Sequence, residues 1–140
     1  MMTTIEEALE GSTPLAIKVR ARGPYRTPAD MIAQMRVLLS ALTEQEKIAT
    51  LNAHPRIGEK ADRLSARSLR EQGRDRLPEF DRLNDEYERR FGFRFVVFVN
   101  RRPKSAILEV LRRRLQRSRE QEMEEGLQAI VDIAEDRLRS

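Results

Sequence analysis

Cysteine and tryptophan are absent from this chain of 140 residues, and histidine occurs only once. The absence of cysteine excludes a disulfide framework, a thiolate nucleophile and thiolate metal ligands. One histidine supplies no nitrogen ligand set, so we predict no metal site. No apolar stretch approaches the ~18 residues that span a bilayer, and the acidic start MMTTIEEALEG does not resemble a signal peptide. The sequence therefore predicts a cytoplasmic protein without a membrane partner.

Charged residues, in contrast, make up 36% of the chain. The 27 lysines and arginines are nearly balanced by 23 acidic residues, and a formal net charge of +4 gives little reason to expect nucleic acid as a partner. The apolar residues recur at helical spacing, which is typical of amphipathic helices and not of disordered chains. The length matches one ordinary domain. We predict an all-α, single-domain helical bundle over residues 1–140.

Start and stop signals divide the chain into helices. Thr27 and Pro28 form a strong start signal, because threonine caps a helix and proline suits its first position. The run from Thr43 to Glu46 has the pattern of a capping box that opens the next helix. Another helix follows Pro78 and is closed by Gly92. Two further helices are predicted from about residues 104 and 120.

One segment departs from this helical pattern. The run FRFVVFVN, residues 93 to 100, is rich in β-branched and aromatic residues and is too short for a core helix. We predict a buried extended segment over about residues 93–99. The sequence supplies no neighbouring strands, so unpaired backbone groups of this segment would be available to a ligand.

The single histidine, His54, directly precedes Pro55. A residue before proline is pushed out of the α region, so His54 is predicted at a helix C-terminus with its side chain aimed away from the core. The negative end of the helix would raise the pKa of His54 by a few tenths of a unit up to roughly one. Histidine in this position serves either as an acid–base catalyst or as a cap on a free carbonyl, and spacing alone favours the cap.

Two other patterns have competing interpretations. Ser68 and Glu71 match a capping box, yet Glu71 with Gln72 presents a carboxylate and an amide suited to a urea-like ligand. The residues alone favour the cap. Residues 101–119 carry eight basic side chains against one acid, Glu109. A non-enzymatic helical module that binds nucleic acid or a protein partner is the alternative function, but no aromatic residues interleave to stack on bases. We therefore expect this run to form a solvated surface or an intramolecular and dimer contact.

The ordered motifs NAHPRIGEKA, SLREQ and FGFRFVVFVN together resemble the family of 2-oxo-4-hydroxy-4-carboxy-5-ureidoimidazoline (OHCU) decarboxylases. The resemblance covers nearly the whole chain. It implies an all-helical homodimer that decarboxylates OHCU, a small-molecule ureidoimidazoline, to (S)-allantoin in urate degradation. The implied reaction needs no cofactor and no nucleic acid partner, because an adjacent ring C=N bond in the substrate can accept the electron pair that CO2 leaves behind.

The resemblance also implies roles for individual residues. His54 would be the catalytic acid/base, and Glu71 would orient the ring or the imidazole. Pro55 would lie beside the substrate ring. The remaining substrate contacts would come from the polar side chains of Ser68, Glu71 and Gln72 and from the backbone of Phe95, Val96, Val97, Phe98 and Val99. Two departures from the family pattern, Arg56 and Arg94, raise the question of whether arginines alter the charge of the pocket.

Overall fold

Helices dominate the computed structural model, which describes residues 3–58, 65–72 and 77–139, without the side chains of Leu69 and Gln72. The described residues contain eight α-helices and no β-strand. The helices are α1 (Ile5–Ala8), α2 (Pro14–Arg22), α3 (Pro28–Leu39), α4 (Glu44–Asn52), α5 (Ala66–Gln72), α6 (Glu79–Phe91), α7 (Lys104–Arg114) and α8 (Arg119–Arg139). The predicted all-α fold is confirmed. None of the described helices is both long and apolar enough to cross a membrane.

The first four helices begin in the same way. Thr4, Thr13, Thr27 and Thr43 each precede a helix, and each side-chain oxygen accepts a hydrogen bond from the backbone N–H three residues later. Such caps satisfy one of the N–H groups that the first turn leaves unpaired. The start signals at Thr27 and Thr43 are confirmed. So is the stop at Gly92, which adopts the left-handed conformation (φ 83°) after α6.

The long C-terminal helix α8 lies at the centre of the bundle. It packs against α1, α3 and α4, while α2 packs against α1, α3 and α4 from the other side, and α6 packs against α7. Leu127, Ile130, Val131 and Ala134 give α8 its buried face. Their spacing of three and four residues is what places them on one side of the helix. Helix α8 therefore brings the last residues of the chain next to the first helix.

Residues 93–99 run extended between α6 and α7, as predicted, with Phe93, Phe95 and Val96 buried. Tyr87 of α6 packs against this segment, with ring centroids 6.0 Å from Phe93 and 5.3 Å from Phe95. Both contacts are edge-on, an arrangement that aromatic quadrupoles favour. The aromatic cluster thus anchors one side of the extended segment in the core.

Arginine side chains take the place of a neighbouring strand for this segment. Arg114 Nη1 donates to the carbonyl of Val96 at 2.9 Å, and the Arg102 side chain donates to the carbonyls of Phe98 at 2.6 Å and Val99 at 3.1 Å. The carbonyls of Val96, Phe98 and Val99 are therefore already paired within the chain. No described residue accepts a hydrogen bond from the amide N–H groups of residues 95–99, so the donors remain available.

The basic run 101–119 is partly a solvated surface and partly a set of contacts within the chain, and both were expected from its composition. Arg114 is 1% exposed, and its Nε donates to the buried Glu122 carboxylate at 2.7 Å, which also accepts from the Tyr87 hydroxyl at 2.7 Å. Arg119 pairs with Glu44 at 2.6 Å. Arg114 makes the contact within the chain, because it lies at the end of α7 and Glu122 lies in the first turns of α8, eight residues later. These arginines join helices within the chain.

Candidate active site

A cavity of about 310 Å³ opens between α5, the extended segment and the C-terminal part of α8. One wall is the extended segment, whose apolar side chains face a second wall of polar residues from α5 and α8. The cavity is lined by His54, Pro55, Ile57, Arg67, Ser68, Arg70, Glu71, Phe95, Val96, Val97, Phe98, Val99, Asn100, Arg101, Ile133, Asp136 and Arg137. Every predicted site residue with a described side chain lies at this cavity. Gln72 belongs to α5, and its side chain lies outside the described residues.

His54 lies just beyond the end of α4, where its N–H donates to the carbonyl of Leu51 at 3.3 Å. Helix α4 thus ends just before His54 and Pro55, as predicted. The His54 side chain, however, is 4% exposed, so the expectation that it points away from the core was wrong. The buried Nε2 atom has no hydrogen-bond partner among the described residues. Buried polar atoms are almost always paired, so this imidazole, on a residue that lines the cavity, is a candidate for contact with a ligand.

Burial also reverses the predicted pKa shift of His54. Loss of solvent lowers the pKa of the imidazole to about 4, with the Glu10 carboxylate opposing and the Arg137 charge reinforcing this effect. The helix terminus was expected to raise this pKa, but desolvation of the charged form outweighs a helix dipole. His54 is consequently neutral at pH 7, which makes it a proton acceptor in the free protein.

Ser68 does not cap a helix. Helix α5 begins earlier than predicted, and Ser65 Oγ accepts from the N–H of Ser68 at 3.0 Å. The Ser68 hydroxyl instead donates to Glu10 Oε1 at 2.7 Å. The capping-box interpretation, which the residues alone favoured, is therefore wrong. Ser68 and Glu71 lie one turn apart on the face of α5 that lines the cavity.

Arg137 of α8 links the polar residues of the site. Its Nε and Nη2 atoms donate to the two carboxylate oxygens of Glu71 at 3.1 and 3.0 Å, and Nη2 also donates to Glu10 at 2.9 Å. Its Nη1 donates to the carbonyls of Glu7 and Ala8 at 3.1 and 3.4 Å. The guanidinium is thus fully engaged, and its charge is matched by two carboxylates.

Sequence reasoning missed Arg137 and Glu10. For Arg137 the local signal is its position on the buried stripe of α8. Glu10 directly precedes Gly11, and its positive φ (61°) is visible only in the structure. For Glu10, burial alone would raise the pKa, but hydrogen bonds from Ser68 and Arg137 outweigh burial and lower the pKa below its usual value. Glu10 is therefore a carboxylate at neutral pH, held behind the cavity wall.

The two unusual arginines lie outside the cavity. Arg56 pairs with Glu88 and Asp85 of α6, each at 2.7 Å. Arg94 Nη1 donates to the carbonyls of Asn52 and His54 at 2.8 and 3.1 Å. Both side chains fix the loop around His54 and add no charge to the pocket wall.

This arrangement suits the chemistry of a small polar molecule. It combines one neutral acid–base group, a hydroxyl and a carboxylate on α5, free amide donors and an apolar wall in an enclosed space. Among residues 3–58, 65–72 and 77–139, no three His, Cys, Asp or Glu side chains are grouped as metal ligands.

Comparison with known proteins gives consistent results. A family model described as OHCU decarboxylase matches residues 1–139. The 2-oxo-4-hydroxy-4-carboxy-5-ureidoimidazoline decarboxylase of Haloferax volcanii is 28% identical over 139 residues, which cover 94% of this chain and 83% of the relative. The uric acid degradation bifunctional protein PucL of Bacillus subtilis is 32% identical over 143 residues, covering 96% of this chain but 29% of that longer protein.

Two solved structures share the fold. An OHCU decarboxylase crystallised in the presence of (S)-allantoin superposes with a TM-score of 0.71 at 22% identity, covering 95% of this chain and 92% of that chain. A structure of (S)-allantoin synthase also gives a TM-score of 0.71, at 24% identity, covering 97% of this chain and 47% of that chain. At such identities the structures establish the helical architecture alone.

Proposed function

Because this chain belongs to the OHCU decarboxylase family, we propose that its cavity converts OHCU to (S)-allantoin and CO2 as a carboxy-lyase of urate degradation. The observation that supports this cavity most directly is His54, whose buried Nε2 lacks a partner at the cavity wall. A neutral imidazole in an apolar, partly enclosed space is the group that a proton-transfer reaction without a cofactor requires.

The reaction divides into bond cleavage and proton transfer. The bond from the hydroxyl-bearing ring carbon to the carboxylate breaks, and CO2 leaves without the bonding electrons. That pair forms a C=C bond to the adjacent ring carbon, while the electrons of the C=N bond at that carbon move to nitrogen, which takes a proton. The enol then gives up its O–H proton, and a proton added to the adjacent carbon on one face creates the stereocentre of (S)-allantoin.

In our proposal His54 carries these protons. Its pKa of about 4 leaves it neutral at pH 7, so it first accepts the hydroxyl proton and then returns a proton to carbon from the same side of the ring. Glu71 is held by two hydrogen bonds from Arg137, so it can orient the substrate ring in one fixed direction. Pro55 packs beside the ring, and Ser68 and Gln72 contact its polar edges.

The extended segment supplies the opposite wall. The backbone of residues 95–99 offers amide N–H groups to the carbonyl oxygens of the ring and ureido group, since no described residue accepts from them. The apolar side chains of Val97 and Val99, which are partly buried and line the cavity, lie beside the carboxylate. A carboxylate that becomes neutral CO2 is destabilised by an apolar environment more than the transition state, in which its charge is already dispersed.

We also propose that the protein acts in the cytoplasm as a homodimer, which the family resemblance implies. Two large apolar side chains, Ile17 of α2 and Val37 of α3, are 60% and 61% exposed on helices that pack together, and they offer an apolar surface for a second copy. Light scattering coupled to size-exclusion chromatography measures the mass of the assembly directly. A mass of one chain at micromolar concentration would contradict the dimer.

The test of the function uses OHCU generated freshly from urate by urate oxidase and hydroxyisourate hydrolase. Addition of the protein should accelerate formation of (S)-allantoin, followed by circular dichroism, above the slow spontaneous reaction that gives racemic product. The alternative, a nucleic acid-binding module, predicts no acceleration and retention on DNA with a steep salt dependence. Racemic product at the spontaneous rate would overturn the proposed function.

A further inference from the structure

The four arginines that line the cavity differ in their hydrogen-bond and ion-pair partners. Arg137 is fully engaged by two carboxylates and two carbonyls, as described above. Arg67 donates to the Thr3 hydroxyl at 2.6 Å, and Arg70 donates Nε to the Ala66 carbonyl of its own helix at 3.4 Å. Arg101 makes no hydrogen bond or ion pair with any residue that the structure describes. It is exposed, and it lies where the extended segment leaves the cavity.

The backbone at Arg101 adopts a conformation that arginine disfavours. Val99 to Arg102 form a tight turn closed by a hydrogen bond from the Arg102 N–H to the Val99 carbonyl at 3.0 Å. Both central residues have positive φ, 49° at Asn100 and 62° at Arg101. Turns of this kind prefer Asn followed by Gly, since glycine adopts positive φ without steric cost. The chain has asparagine at the first position but arginine at the second, and such outliers concentrate at functional sites.

Arg137 and Arg101 differ most clearly in their partners, since Arg137 is paired with two carboxylates and Arg101 with none among the described residues. A free cation on the reacting carboxylate would stabilise the substrate more than the transition state, because that charge disappears as CO2 leaves. Arg137 avoids this effect, since its charge is neutralised by Glu10 and Glu71. An unpaired cation at the mouth attracts an anionic substrate without holding its carboxylate during the reaction.

From these observations we infer that Arg101 is a substrate-capture residue, which draws the OHCU carboxylate to the mouth of the cavity. It does not contribute to the rate of the chemical step. This inference rests on the proposed function. It distinguishes Arg101 from the groups that contact the reacting atoms, because its contribution appears in KM and in the response to salt. The neutral product (S)-allantoin lacks the carboxylate and gains nothing from Arg101.

The test compares wild type with Arg101→Met, Arg101→Lys and the control Arg26→Met. Methionine is unbranched and makes the same demand on the left-handed backbone, but it is uncharged and shorter than arginine. Lysine, which is also shorter but keeps the charge, separates the loss of charge from the loss of length. Arg26 is an exposed arginine that does not line the cavity, so its replacement controls for net charge. Circular dichroism checks that each variant is folded. The kinetic measurements are kcat and KM for enzymatically generated OHCU, and the inhibition constant of (S)-allantoin, at low and high ionic strength.

For Arg101→Met we expect KM to rise about three- to tenfold at low ionic strength, with kcat within twofold of wild type and unchanged inhibition by (S)-allantoin. The difference should shrink as salt shortens the Debye length below ~10 Å. Arg101→Lys should stay close to wild type, and Arg26→Met should match it.

An unchanged KM in Arg101→Met, or an equal rise in Arg26→Met, would overturn the capture role while the decarboxylase function stands. A large fall in kcat at unchanged KM would also overturn it, because Arg101 would then act on the chemical step. Wild-type protein that fails to accelerate formation of (S)-allantoin would overturn the proposed function, and the capture role would fall with it.

Discussion

Arg137 holds Glu71 by both carboxylate oxygens, with Nε to Oε2 at 3.1 Å and Nη2 to Oε1 at 3.0 Å, across 66 residues of sequence. This bidentate geometry fixes the direction of the carboxylate more strictly than a single contact would. The Arg137 side chain is 2% exposed and Glu71 is 29% exposed, so the pair reaches from the core to the cavity. The last helix thereby orients a group on α5 that we place in the site.

Replacing Glu71 with alanine should affect both stability and catalysis. The change leaves Arg137 paired only with Glu10, which should lower the free energy of unfolding by about 1–2 kcal/mol, measured by urea denaturation. It should also raise KM for OHCU and lower kcat, since the substrate ring loses an orienting group. Glu109→Ala is the control, because Glu109 pairs with Arg112 on the surface and is 72% exposed. A loss of stability in Glu71→Ala with unchanged kinetics would assign Glu71 a purely structural role.

His54→Ala should abolish most of the turnover. Removal of a general acid–base group typically costs about 10²- to 10⁴-fold, so we expect kcat to fall at least ~10²-fold. His54→Asn is the matched variant, since it keeps a polar side chain of similar size but cannot transfer a proton at neutral pH. Both variants should retain the helical circular dichroism spectrum of wild type. Turnover near the wild-type level in either variant would exclude His54 as the proton carrier.

The pKa of His54 can be measured directly, because its imidazole is the only one in the chain. Its NMR signals should titrate with a pKa of about 4 in the folded protein, below the ~6.5 of an unfolded chain. Between these values the unfolded state binds more protons than the folded state, so stability is lost as the pH falls from about 6.5 to about 4. The slope from this residue is at most ~1.4 kcal/mol per pH unit. A titration near 6.5 in the folded protein would contradict burial of the imidazole.

Glu10→Gln should lower the pKa of His54 further below its usual value. The negative charge of Glu10 raises the pKa of His54 against the effect of burial, and glutamine removes that charge while keeping an oxygen that can accept from Ser68. We therefore expect a lower pKa for His54 in Glu10→Gln than in wild type, measured by the same NMR titration. Glu109→Gln, which removes a charge far from His54 in the sequence and outside the cavity, should leave the titration unchanged. A rise of the pKa in Glu10→Gln would show that Glu10 does not act on His54.

Local signals were sufficient to predict much of the fold. Thr27 with Pro28, the box at Thr43 and the stop at Gly92 each depend on neighbours within four residues, and all three are present. The extended segment was predicted from its β-branched and aromatic composition, which needs no knowledge of its partners. These features are visible in a sequence because the interactions that cause them are local.

The site depends on contacts that no local pattern contains. Burial of His54 follows from packing of distant helices, so the dipole argument gave the wrong sign for its pKa shift. The bond from Arg137 to Glu10 spans 127 residues, and the buried pair of Arg114 and Glu122 forms only when the chain turns between α7 and α8. The capping-box prediction at Ser68, in contrast, was wrong for a local reason. Ser65, three residues earlier, is an equally good cap and takes that role.

The loop that follows His54 leads to a final prediction, in which two glycines are compared. Gly58 and Gly92 both have positive φ, 78° and 83°, so alanine at either position costs about 1–2 kcal/mol of backbone strain. A Cβ atom at Gly92 would meet nothing within 4 Å, whereas at Gly58 it would lie 2.9 Å from Cβ of the buried Phe80. This clash adds about 1–3 kcal/mol, because neither backbone can retreat without moving the core. Gly58→Ala should therefore unfold at lower urea than Gly92→Ala. Since Gly58 is four residues from His54, its variant should also lose turnover, whereas Gly92→Ala should keep it. Equal urea midpoints for the two variants would show that the loop at Gly58 shifts to accommodate the Cβ atom. Phe80 would then not fix the position of that loop.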